Sequence, residues 1–155
     1  MHLAIGLPMG FQATIIAFGA VILQVALNGL GAVPVAAYAA AQKVDTIAMM
    51  PMMSFGAAMA AYTAQNYGAG KFSRIRMGVL SCCRMSVGFS LAAGVLVIAA
   101  GPHLIELFVG AQEVEAIRLG QTYFLVNGLT YWILSLLFIF RYTLQGLGQS
   151  FVPTV

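Results

Sequence analysis

The sequence predicts an all-α fold, a polytopic membrane helix bundle with four transmembrane helices, a short interfacial helix and the start of a fifth span. Of its 155 residues, 61% are hydrophobic and 7% are charged, whereas soluble domains carry about 25% charged residues. Apolar runs of roughly 20 residues recur along the chain, and each can cross a hydrocarbon core about 30 Å thick. This composition excludes a soluble globular domain.

The first two predicted spans cover residues 3–30 and 35–66. Gln12 and Asn28 are polar side chains of the first span. Amides inside a span either bond neighbouring helices or line a polar path, and the sequence leaves both roles open. Pro51 predicts a kink in the second span, because proline removes one helical hydrogen bond and crowds the carbonyl four residues earlier.

The third and fourth predicted spans cover residues 77–100 and 120–142. Gly101 and Pro102 are expected to end the third span. The less hydrophobic connector 103–118 then predicts a short amphipathic helix that lies in the membrane interface. The last six residues, SFVPTV, have the composition of another span's opening, so we expect the chain to be a fragment of a longer protein.

Basic residues lie mainly on one side of this predicted topology. That side holds Lys71, Arg74, Arg76 and Arg141. The opposite side holds at most Lys43 and Arg118. The positive-inside rule places the richer side in the cytoplasm, so we expect a multi-pass protein of the cell (plasma or inner) membrane with a cytoplasmic N-terminus. The lipid bilayer is the expected partner, and binding to nucleic acid is not expected.

Lys43 and Asp45 are charged residues within the second predicted helix. Their i,i+2 spacing puts them on nearly opposite helix faces, so they are not expected to pair. Ionisable groups inside a bilayer mark ion or proton paths. However, the uncharged stretch 46–65 can span by itself, which would leave both residues at the outer interface. A cavity-lining role and an interfacial role therefore remain open.

Two further sets of side chains are candidates for a substrate cavity. Met53 belongs to a methionine cluster around Pro51, and methionines either re-pack around varied apolar ligands or simply face lipid and other helices. At about 100° per residue, one face of the fourth span collects Tyr123, Asn127, Tyr131, Arg141 and Gln145. A lipid-facing helix does not concentrate polar groups in this way, so this face lines a cavity or packs as a polar seam.

Signatures of enzymes and metal sites are missing from the sequence. Gly70-Lys71 is not a P-loop, because Gln65 stands where the first glycine belongs and Phe72 where Ser or Thr belongs. His2 and His103 have no ligand spacing around them. No Ser–His–Asp or Cys–His arrangement is credible. We therefore expect a protein that is not an enzyme and has no resident cofactor or metal.

Short segments across essentially the whole chain carry a family resemblance. The most specific are QNYGAG at 65–70 and RYTLQGLG at 141–148, joined by GLPMG at 6–10, QKVD at 42–45 and PMM at 51–53. As an ordered set they resemble the multidrug and toxic compound extrusion (MATE) transporters, in the second of their two six-helix lobes.

The resemblance implies a twelve-helix parent with a substrate cavity between two lobes, of which this chain supplies helices seven to ten and the start of the eleventh. The implied partners are the missing other lobe and small organic cations or amphipathic drugs, exported against H⁺ or Na⁺ entry. The acidic site that some members use for coupling belongs to the first lobe and is missing here, so the coupling ion stays open. Other members carry an acidic residue on the tenth helix, but the fourth predicted span has none, which argues against a sodium site in this lobe. The candidate cavity or ion-path residues are Lys43, Asp45, Asn127, Tyr131, Gln12, Asn28, Met53 and Arg141.

Two alternatives to a drug exporter remain at this point. A lipid-linked saccharide flippase of the same superfamily would have a larger and more cationic cavity than this chain's few basic residues suggest. A small four-span structural or assembly protein of the membrane would be complete at this length.

Overall fold

The computed structural model describes residues 2–149, which form four α-helices joined by short turns. The helices are α1 (His2–Asn28), α2 (Ala32–Gly68), α3 (Phe72–Val109) and α4 (Val114–Gly146). The described part of the chain contains no strand. Each helix holds a stretch that is long and apolar enough to cross a membrane, so the predicted polytopic helical bundle is confirmed. The predicted start of a fifth span, residues 150–155, lies outside the described residues.

Each turn between two helices contains a glycine that the backbone requires. Gly31, Gly70 and Gly110 have φ angles of 100°, 68° and 88°, a region that side chains with a Cβ rarely adopt. At the turn from α2 to α3, the Lys71 amide donates to the Asn66 carbonyl at 2.8 Å. The turns are short, so consecutive helices run antiparallel.

The third helix differs from its predicted course. It continues through Gly101 and Pro102, where the sequence predicted an end. The separate interfacial helix predicted within 103–118 is therefore wrong: residues 103–109 are the last turns of α3, and residues 114–118 begin α4.

Packing against α4 explains why α3 continues past Pro102. Ile105 is fully buried, and its side chain occupies the space above Gly120, where a Cβ would collide with it. One turn earlier, Gly101 lies against the ring of Phe124. A proline inside a helix costs about 3 kcal/mol, and two close contacts with α4 hold the segment beyond it in place.

Helices α2, α3 and α4 pack on one another and enclose the core. Its fully buried side chains include Met52, Ile105, Phe124 and Ile139. Helix α1 contacts α2, and the residues 10–28 of α1 contain no buried side chain. Large apolar side chains are exposed on all four helices, as expected where lipid replaces water as the solvent.

Small residues set the closest approach between α3 and α4. A Cβ on Gly94 would meet the backbone carbonyl of Gly128, so the two backbones are in direct contact there. One turn away, the Ser90 hydroxyl donates to the Ser135 hydroxyl at 3.4 Å. Small side chains and short polar bonds are the usual means of holding helices together in lipid.

Candidate functional site

Asp45 is a buried acidic residue between α2 and α4. Its side chain is 6% exposed. The Tyr123 hydroxyl donates to Oδ2 at 3.2 Å, and the Tyr131 hydroxyl donates to Oδ1. The two tyrosines are eight residues apart, about 12 Å along the axis of α4, so the carboxyl group lies between them. Both of its oxygens are bonded to α4.

Neighbouring residues on α2 and α4 create room for this arrangement. Ala41 and Ala37 are buried one and two turns before Asp45 on α2, and alanines let the bulky tyrosines of α4 approach. The ring of Tyr123 is held edge-on by Tyr38, with ring centroids 5.7 Å apart. These packed surroundings fix the hydroxyl groups where Asp45 needs donors.

Asp45 has neutral hydrogen-bond donors but no cationic partner within the described part of the chain. Lys43, two residues earlier, is exposed and places its Nζ 5.3 Å from the ring centroid of Phe108 on α3. The structure thus separates the two charges, in agreement with their spacing. A buried carboxyl without a counter-ion is unusual in a membrane helix, where such groups are normally paired.

The carboxyl group opens onto a groove along α4, which we name the Asp45 groove. It measures about 330 Å³ and is lined by Asp45, Met49, Asn127, Thr130, Tyr131, Ile133, Leu134 and Leu137. Asn127 is half-buried and donates to the carbonyl of Tyr123 at 3.0 Å. The structure therefore brings Asp45, Asn127 and Tyr131 together, three residues that the sequence analysis named as cavity candidates.

A second groove, the Arg141 groove, begins where the first ends. It measures about 440 Å³ and is lined by Gln12, Ile16, Leu137, Phe140, Arg141 and Leu144. Leu137 lines both grooves. The Nε of Arg141 is buried and has no hydrogen-bond partner within the described residues. The polar face predicted for the fourth span thus follows two adjoining grooves, one with a carboxyl group and one with a guanidinium group.

The family of this chain follows from its sequence match. Residues 8–155 match the MatE family model. The chain belongs to the MatE family. The resemblance that the sequence analysis stated is confirmed, and with four candidate spans this MatE chain is a multi-pass membrane protein.

One curated relative supports the same assignment. The MatE chain is 27% identical over 121 residues to the "Probable multidrug resistance protein YpnP" of Bacillus subtilis (strain 168). The match covers 78% of this chain and 27% of that relative, so the chain spans only about a quarter of the relative's length. No solved structure matches the chain.

Other predicted site residues of the MatE chain lie away from the Asp45 groove. Met53 is 44% exposed, whereas Met49 of the same cluster lines the groove. Asn28, the last residue of α1, is exposed and accepts a hydrogen bond from Gln24 Nε2 at 3.1 Å. Pro51 lies inside α2 without ending it. The sequence alone could not predict that Met49 rather than Met53 lines the groove. That distinction depends on which residues of α4 pack beside Asp45.

Proposed function

We propose that this MatE chain is part of a secondary transporter that exports cationic or amphipathic drugs in exchange for protons or sodium ions. The observation that carries the proposal is the buried Asp45 carboxyl, held by two tyrosine hydroxyls and open to a groove. No basic side chain of the described residues neutralises the negative charge of the Asp45 carboxylate. A proton, a sodium ion or an organic cation could each do so.

Two further facts support this proposal. The family match covers most of the chain, and a relative carries the name of a probable multidrug resistance protein. In secondary transporters built from repeats, substrate and coupling ion bind near the bilayer midplane, and the two halves rock around that site. In this proposal the Asp45 groove forms this chain's share of such a site. No enzymatic chemistry and no resident cofactor are involved.

The same geometry favours drug export over the flippase alternative. Flipping a lipid-linked saccharide would require cationic side chains in the cavity. The lining of the Asp45 groove contains an acidic residue and no lysine or arginine. Lys43, the nearest basic residue in sequence, is packed on Phe108 instead.

A drug-accumulation assay tests the proposal. The open reading frame that contains this chain, expressed in an efflux-deficient host, is expected to lower ethidium and norfloxacin accumulation. A protonophore should abolish the effect if protons couple transport, and removal of sodium should abolish it if sodium does. Unchanged accumulation across a panel of cationic compounds would contradict drug export.

We also propose that the turn between α2 and α3 is cytoplasmic. Lys71, Arg74 and Arg76 lie at this turn, whereas Glu106, Glu113 and Glu115 lie at the opposite end of the bundle. Basic residues are retained on the cytoplasmic side during insertion. Alkaline phosphatase is therefore expected to be active when it is fused after Gly110 and inactive when it is fused after Gly70. Green fluorescent protein should give the reverse pattern, and the same pattern at both positions would contradict this topology.

A further inference from the structure

We propose that the basic end of the bundle binds one anionic phospholipid, with the phosphate on Lys71 and Arg74 and an acyl chain in the groove between α2 and α3. This site lies on a different part of the molecule from the Asp45 groove. It requires only that the chain is embedded in a bilayer, so it does not depend on the proposed transport function.

The groove between α2 and α3 is mostly apolar and is open to the outside of the described bundle. It measures about 600 Å³, and its lining includes Phe55, Met59, Tyr62, Met77, Ser81 and Met85. Met77 and Met85 are 62% and 59% exposed, and flexible methionines adapt to an irregular apolar partner. From Met77 to Met85 the groove is about 12 Å long, most of one leaflet of a hydrocarbon core about 30 Å thick.

Glycine shapes the end of this groove that is closest to the turn. A Cβ on Gly78 would collide with the ring of Tyr62, so the tyrosine ring packs directly on the backbone of α3. The Tyr62 hydroxyl donates to the backbone carbonyl of Arg74 at 3.2 Å. The floor of the groove is thereby fixed directly to the residue that carries the nearest basic side chain.

Helical spacing places Arg74 in line with the groove. Arg74, Gly78, Ser81 and Met85 follow the i, i+4, i+7, i+11 pattern of one helix face. The Arg74 amide also donates to the carbonyl of Lys71 at 3.1 Å, so both basic residues lie within one turn. Arg76 is two residues further on, about 200° around the helix, and therefore belongs to the opposite face.

The charge and the aromatic side chains of this end match a phospholipid headgroup region. Lys71 and Arg74 are exposed, and all four acidic residues of the chain lie on α2 before Pro51 or near the turn from α3 to α4. Tyr67 and Phe72 pack edge-on at the same turn, with ring centroids 5.8 Å apart. Aromatic side chains are typical of the headgroup level. An anionic lipid thus meets positive charge at the interface and an apolar groove directly below it.

Lipid titration of matched charge variants tests the headgroup contact. The purified protein in detergent is titrated with phosphatidylglycerol and with phosphatidylcholine of the same acyl chains, and bound lipid is counted by native mass spectrometry. We expect a preference for phosphatidylglycerol that falls with added salt. Arg74→Gln is expected to weaken phosphatidylglycerol binding about fivefold, the effect of one basic residue near anionic headgroups. Arg76→Gln removes the same charge from the opposite face and is expected to change binding less than twofold.

A second pair of variants tests the groove. Ser81→Trp fills it and is expected to remove the preferential binding, whereas Leu80→Trp adds the same side chain on another exposed face and should have no effect. Circular dichroism and gel filtration check that each variant folds.

Three outcomes would overturn the proposal. Equal losses in Arg74→Gln and Arg76→Gln would indicate diffuse charge attraction. Competition by glycerol phosphate as strong as that by the lipid would show that the groove is unused. A dimer that only Ser81→Trp disrupts would show that a second copy of the chain occupies the groove.

Discussion

Replacing Asp45 with asparagine is expected to reduce drug export by about tenfold or more. The substitution keeps the shape of the side chain but removes the ionisable group that faces the Asp45 groove. An asparagine oxygen can still accept one tyrosine hydroxyl, so the contact between α2 and α4 is largely kept. A hydrogen bond to a charged group contributes about 1.5–3 kcal/mol, and a loss of 1.4 kcal/mol already corresponds to a factor of ten.

The measurement is the rate of ethidium efflux from preloaded cells, normalised to the amount of transporter in the membrane. Glu106→Gln is the matched control, because Glu106 is an exposed carboxylate near the end of α3, and it should export at the wild-type rate. Tyr131→Phe keeps the carboxyl group and removes one of its two donors, so an intermediate rate is expected. Wild-type efflux by Asp45→Asn at equal expression would assign Asp45 a purely structural role.

Replacing Gly94 with alanine is expected to lower the stability of the helix bundle. The new methyl group would meet the backbone carbonyl of Gly128, which no change of rotamer can relieve. Overpacking of this kind costs about 1–3 kcal/mol. The close approach of α3 and α4, which buries Ser90 and Ser135, depends on the absence of a side chain at Gly94.

Gly88→Ala is the matched control for this prediction. Gly88 lies in the same helix, and a Cβ there would meet no atom of a neighbouring helix within 4 Å. Since alanine favours a helix over glycine by about 1 kcal/mol, Gly88→Ala should leave the thermal unfolding temperature in detergent unchanged or slightly raised. Gly94→Ala should lower it by several degrees. Equal behaviour of the two variants would mean that α3 and α4 do not rely on this contact.

Local sequence rules predicted some features of the bundle and missed others. The lengths of the apolar runs were enough to predict the number of long helices, because each helix must cross the same thickness of hydrocarbon. The rule that Gly-Pro ends a helix failed at Gly101-Pro102. There, Ile105 and Phe124 pack closely against glycines of the opposing helix, and this interhelical packing maintains a helix that local propensity would end.

The candidate site divides in the same way. Helical periodicity placed Lys43 and Asp45 on opposite faces, and it collected Tyr123, Asn127 and Tyr131 on one face of the fourth span. Periodicity cannot assign a neighbour to either face, however. The tyrosines that bond Asp45 lie 78 and 86 residues further along the chain, and only the packing of α2 on α4 brings them to it.

By itself, the sequence determined that this is a membrane-embedded helical protein of the MatE family. Those conclusions rest on composition, run length and short motifs, which are properties of the chain that need no partner. Only the tertiary structure decided that Asp45 is buried and bonded while Lys43 lies outside on Phe108, and that Met49 rather than Met53 lines the groove. The physical reason is that helical periodicity determines which residues share a face, whereas only packing against another helix determines which face is buried.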